Sequence, residues 1–86
     1  MKDAGSLPEW RPANRTLDVT GALCPEPVIK ARAELDAMQS GEVLDVRATD
    51  PLAALDLAVM CEHLGHRLLA SATLDGIVRV QIQCSD

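Results

Sequence analysis

Residues 21–35 read GALCPEPVIKARAEL, and the way this stretch divides decides the fold. Pro25 and Pro27 fit the first turn of a helix, where the N–H groups they lack would have no intrahelical acceptor. Behind them Val28, Ala31, Leu35 and Met38 recur on one side at helical spacing, so a helix is expected from Pro25 to Met38 with Gly41 as its stop. Ahead of them Leu17 and Val19 alternate with Thr16, Asp18 and Thr20, as in a strand with one buried face.

The same order then repeats. Glu42 to Ala48 reads as a strand burying Leu44, Val46 and Ala48, and Pro51 to Leu64 as a helix ended by Gly65. In that second helix Ala53, Leu57, Met60, Cys61 and Leu64 share one side, with Asp56 and His63 opposite. Two further strands, Arg67 to Thr73 and Ile77 to Cys84, are joined by Asp75-Gly76, a pair that tolerates positive φ and so marks a hairpin. In the last one Val78, Val80, Ile82 and Cys84 share one parity and Arg79, Gln81 and Gln83 the other. The order βαβαββ implies an α+β two-layer sandwich, a four-stranded mixed sheet with two helices packed on one face and the other face wet. Strand order is left open. Residues 15–86 form the domain, and residues 1–14, with Pro8, Pro12 and no hydrophobic period, are expected to be a flexible tail. Its Trp10 reads either as an exposed side chain or as an anchor for a partner.

Composition narrows the function. A chain of 86 residues has room for one small core, and without Phe or Tyr that core must be aliphatic. The net charge of −5 argues against direct nucleic-acid binding and against attachment to an anionic membrane, both of which need clustered Lys and Arg. No segment approaches the ~20 apolar residues that cross a bilayer. Three cysteines, Cys24, Cys61 and Cys84, are too widely spaced for a zinc site or a C-x-x-C pair, and suit reduced thiols in a cytoplasmic protein. No metal site, cofactor site or glycine-rich phosphate loop is expected.

Both helices open with one grammar. Asp50-Pro51 sets a capping carboxylate before a proline; Cys24-Pro25 sets a sulfur there, although a thiol is a poor cap. Such a departure from the structural optimum marks a place to look for function. Pro25 keeps Cys24 out of the helical region of backbone space and presents its thiol at the lip. The helix end favours the thiolate and Glu26 opposes it, so a moderately activated thiol is expected. Asp50 is a plain cap, or a neighbour of Cys24 if the first two strands are parallel. Lys30 and Arg32 read as a solvated face or as charges that steer an acidic partner. His63 and His66 read as surface residues too distant to act as a base. Cys61 and Cys84, of inward parity, read as core. On residues alone, Cys24 as an incidental thiol and as a working one both stand.

The runs LDVTGALCPEPVIKAR and GEVLDVRATDP resemble the TusA/SirA family of sulfur carriers, from Leu17 to about Cys84. The resemblance rests on Leu17-Asp18, Gly21, Cys24-Pro25-Glu26-Pro27, Arg32, Gly41-Glu42, Asp50-Pro51, Asp56 and Cys61. It implies that Cys24 accepts sulfane sulfur as a persulfide, with Gly21, Pro25, Glu26 and Pro27 supporting the site and Arg32 and Asp50 as neighbours or partner contacts. It also implies a donor, a cysteine desulfurase or rhodanese-type protein, and an acceptor protein, DsrE/TusD-like or similar, in tRNA thiolation, molybdenum-cofactor synthesis or sulfur oxidation. The alternatives are a non-catalytic binding or regulatory module of the same fold, and a thiol redox switch.

Overall fold

The computed structural model describes residues 10–85. Residues 1–9 of the expected tail, and Asp86, lie outside them. Six elements follow in chain order: β1 (Arg15–Val19), α1 (Glu26–Asp36), β2 (Val43–Ala48), α2 (Ala53–Leu64), β3 (Arg67–Leu74) and β4 (Ile77–Gln83). They form one mixed sheet ordered β1-β2-β4-β3, with β1 parallel to β2 and β4 antiparallel to both its neighbours. The two crossovers, β1 to β2 and β2 to β3, travel in the same sense across the sheet. Right-handed crossovers of the same sense place their helices on the same face, and that is the arrangement found.

The core lies between that face and the helices. Leu44, Val46 and Ala48 of β2 and Val78, Val80 and Ile82 of β4 meet Ala31 and Leu35 of α1 and Leu57, Met60 and Cys61 of α2 in one buried cluster. Each fully buried Leu or Val in it contributes about 1.5–3 kcal/mol relative to exposure. Asp75 and Gly76 both take positive φ, 52° and 78°, closing the hairpin the sequence indicated. Gly65, at φ 81°, caps α2 by donating its N–H to the Cys61 carbonyl. Gly41 has a different job from the expected one. α1 ends at Asp36, its last turn tightened by bonds from Ala37 N–H to Glu34 O and Met38 N–H to Leu35 O. Gly41, at φ 92°, instead turns the chain into β2 and donates to Cys84 O.

The second sheet face is less wet than its polar parity implies. Asp45 is 3% exposed and Gln81 0% exposed, because residues 10–14, assigned by composition to the tail, lie against this face. The Gln81 amide accepts from Arg11 N–H and donates to Arg11 C=O, both at 2.7 Å, as a neighbouring strand would. Arg79 grips the Asp45 carboxylate through Nε and Nη2, the shortest contact being 2.7 Å. The Trp10 ring covers that guanidinium at 4.6 Å, a cation–π contact within the domain.

Candidate functional site

Because β1 and β2 are parallel, their outgoing junctions leave the sheet at the same edge, and α1 and α2 begin side by side. The first junction starts with Asp18, whose Oδ1 accepts Thr20 N–H at 3.0 Å, which holds its carboxyl below the usual range. Gly21 follows at φ 85°, a conformation costly for any residue with a Cβ, which accounts for the glycine. Its N–H donates to Thr49 Oγ1 on the second junction at 2.8 Å. Cys24 N–H then donates to Asp50 Oδ2 at 2.6 Å, and Cys24 Sγ to Asp56 Oδ2 at 3.1 Å. The first two bonds run from the first junction to the second, and the third to the first turn of α2.

Asp50 is a neighbour of Cys24, as parallel strands allow, but not the N-cap of α2: that position is Leu52, without a side-chain cap, and Asp50 braces the turn ahead of it. Its Oδ1 accepts Leu52 N–H at 2.9 Å at the start of α2, while Oδ2 holds the backbone of Cys24. The Cys24 side chain makes no equivalent bond to the turn ahead of α1, and neither helix has a side-chain cap at its N-cap residue. Pro25 occupies the N-cap position, after a cis Cys24–Pro25 peptide, and Glu26 is the first helical residue. Pro27 is buried at the second helical position, where its ring packs without removing a helix bond. Glu26 N–H is taken by Leu23 O, so it is not available to an anion on the sulfur.

Cys24 is exposed, as a carrier of any group would need, but it is not an activated thiol. The hydrogen bond to Asp56 pushes its pKa up, aided by some loss of solvation and by the charges of Asp56 and Asp50. Ionising the sulfur would set an anion 3.1 Å from a carboxylate, and this contact outweighs the helix end. The expectation of moderate activation is corrected accordingly. Asp56, one of the residues that carry the resemblance, has no site role in the sequence reading: its helical position pointed to solvent, whereas the side chain is half-buried and bonded to the sulfur. The available signal was its place in the first turn of α2, which parallel strands bring to the first junction.

Beside the sulfur, α1 and α2 leave a groove of about 490 Å³ walled by Pro25, Val28, Leu55, Val59, Met60 and Leu64. Arg32 and His63 line it too, roughly 9–10 Å along the helices from their first turns at ~1.5 Å per residue. His63 thus shares the groove with Cys24 without reaching the sulfur, and His66 accepts Ser85 N–H through Nδ1 elsewhere. Leu23, next to Cys24 in the chain, and Leu55 and Val59 of the groove wall are exposed and add apolar surface beside the thiol. Cys61 and Cys84 are buried, and burial pushes the Cys61 thiol up to about 11. Among the described residues, no group of three or more His, Cys, Asp or Glu could hold a metal ion, and no helix is long and apolar enough to cross a membrane.

Comparison with known proteins gives the family and the fold. Residues 15–84 match the family described as Sulfurtransferase TusA. Two proteins of Neisseria meningitidis, from serogroups A and B and each described as a candidate sulfur carrier, are 43% identical over 70 residues, covering 81% of this chain and 95% of theirs. The crystal structure of a SirA-like protein from Desulfitobacterium hafniense superposes with a TM-score of 0.74 at 28% identity, covering 84% of this chain and 99% of that one.

Proposed function

The chain belongs to the TusA family of sulfur carriers, and from that premise we propose that Cys24 takes sulfane sulfur from one protein as a persulfide and passes it to another. The observation that carries this reading is the exposed Sγ of Cys24 on a loop tied down by Asp50 and Thr49. A relay sulfur must be reached by two proteins in turn, and exchange at sulfur depends on access as much as on acidity. The Cys24 backbone is fixed while its sulfur, hydrogen-bonded to Asp56, stays exposed to a partner. Cys61 and Cys84 are buried, so loading and unloading proceed without closing a disulfide within the domain. Free thiols suit a reducing, cytoplasmic setting.

In the loading step the Cys24 sulfur attacks the outer sulfur of the donor persulfide, the donor S–S bond breaks, and its electron pair stays on the donor sulfur. The Cys24 proton leaves and the donor thiolate gains one, so a thiol and a persulfide exchange one sulfur atom with no net oxidation. The apolar surface around the thiol offers both partners a docking face. The donor is a cysteine desulfurase or rhodanese-type protein and the acceptor a DsrE/TusD-like or comparable protein, serving tRNA thiolation, molybdenum-cofactor synthesis or sulfur oxidation.

The test is to incubate the protein with a cysteine desulfurase and cysteine, or with a rhodanese and thiosulfate, and record its intact mass. One added sulfur is expected, removable by reductant and absent in Cys24→Ser. A Cys24→Ser variant that still gained sulfur would move the acceptor to another cysteine, and one that kept normal partner binding and activity would transfer the role to a binding module in which the thiol is incidental.

A further inference from the structure

The sulfur faces acid on the side of α2. Asp56 Oδ2 accepts from Sγ at 3.1 Å, and Asp50 Oδ2 lies on the backbone of the same residue at 2.6 Å. Glu26 opens α1 immediately after Pro25. On the same groove Arg32 and His63 stand about two turns farther along the helices, roughly 9–10 Å of rise at ~1.5 Å per residue, about one Debye length at physiological salt. An incoming sulfur compound therefore meets negative charge before it meets Cys24. We propose that Asp56 is a specificity-determining residue that rejects free anionic sulfur donors such as thiosulfate and admits sulfur from a docked protein that presents a Lys or Arg to its carboxylate.

The proposal rests on Cys24 being the sulfur acceptor. In direct transfer from thiosulfate, the Cys24 thiolate would attack the outer sulfur, the S–S bond would break and sulfite would leave with the pair. Thiosulfate brings a double negative charge to a sulfur already bonded to a carboxylate, so repulsion grows as the reactants approach. A protein donor avoids this. Its cation pairs with Asp56, which draws the carboxylate off Sγ, eases loss of the thiol proton, and cancels the charge that opposed approach. One side chain thus keeps the resting sulfur quiet and names the kind of surface that wakes it.

Methanethiosulfonate reagents of opposite charge test the field directly, since each transfers its thio group to Cys24 and releases methanesulfinate. Rates with the trimethylammonioethyl and sulfonatoethyl reagents are read by intact mass and divided by the same ratio for mercaptoethanol, with Cys24→Ser as the blank. A preference of about tenfold for the cationic reagent is expected, from two nearby carboxylates in partly screened surroundings. Asp56→Asn should cut it about threefold, and salt near 1 M should do the same to the unaltered protein, which needs no variant to fold. Equal normalised rates, or a preference indifferent both to Asp56→Asn and to salt, overturns the proposal. So does thiosulfate alone loading the protein as fast as thiosulfate with rhodanese. If no donor loads Cys24 at all, the carrier reading fails, while the reagent ratio still reports what Asp56 does.

Discussion

The two strand-to-helix junctions make an internal comparison, since each leaves a parallel strand at the same sheet edge and each turns through an X-Pro step into a helix. At the second, Asp50 Oδ1 holds Leu52 N–H at the start of α2. At the first, the Cys24 side chain holds no backbone N–H, and the loop is tied by Thr49 Oγ1 and Asp50 Oδ2 from next door, while neither helix has a side-chain cap of its own. The difference teaches where the fold keeps its freedom. One junction is built for stability and lends some to its twin, and the twin can then carry a reactive atom in place of a cap. Rigidity of the sulfur's backbone is a property of residue 50.

The largest expected effect comes from removing the lender. Asp50→Ala deprives two backbone N–H groups, of Leu52 and Cys24, of their acceptors, and should cost about 2 kcal/mol, or a fall in melting temperature of about 10 °C for a domain of this size. Sulfur loading of the folded variant should also slow, because the Cys24 loop loses its tie. Asp50→Asn, which keeps an acceptor oxygen, should fall between. If Asp50→Ala unfolds with unchanged midpoint in urea, the second junction does not support the first.

A smaller effect sharpens the comparison by striking the far face of the sheet. Gln81→Ala removes the paired bonds to the Arg11 backbone and should cost about 1 kcal/mol in chemical denaturation, while sulfur loading proceeds at the original rate. A matching loss of loading would mean that the site depends on the whole sheet rather than on one edge.

The sequence made most of this legible, for physical reasons. Alternation at Leu17 and Val19, helical spacing from Val28 to Leu35 and the Asp75-Gly76 turn each reflect a local period or a backbone constraint, and all three stand in the structure, with the helix ending two residues short of Met38. Cys24 was visible because a thiol replaced a cap beside two prolines. Asp56 was not, since its contact depends on which strands pair, and pairing is a non-local fact. The same limit hid Gln81 and Asp45: their parity was read correctly, but a cover supplied by residues 10–14 leaves no periodic trace. Consecutive burial of Leu69 and Ala70 breaks the alternation of β3 where its register to β4 shifts, another event set by the partner strand.

The smallest effect is the most exacting. If the first junction borrows its stability, its own side chain should contribute almost none, so Cys24→Ala should leave unfolding free energy within about 0.5 kcal/mol of the unaltered protein. Alanine keeps the backbone N–H that Asp50 holds, and the exposed Asp56 oxygen that loses its thiol partner turns to water. Combining Asp50→Ala with Cys24→Ala should then give the sum of the single costs to within about 0.5 kcal/mol, because the carboxylate of residue 50 binds main chain and not sulfur. A cost above about 1 kcal/mol for Cys24→Ala, or strong coupling in the pair, would make the thiol a structural element and reverse which junction lends and which borrows.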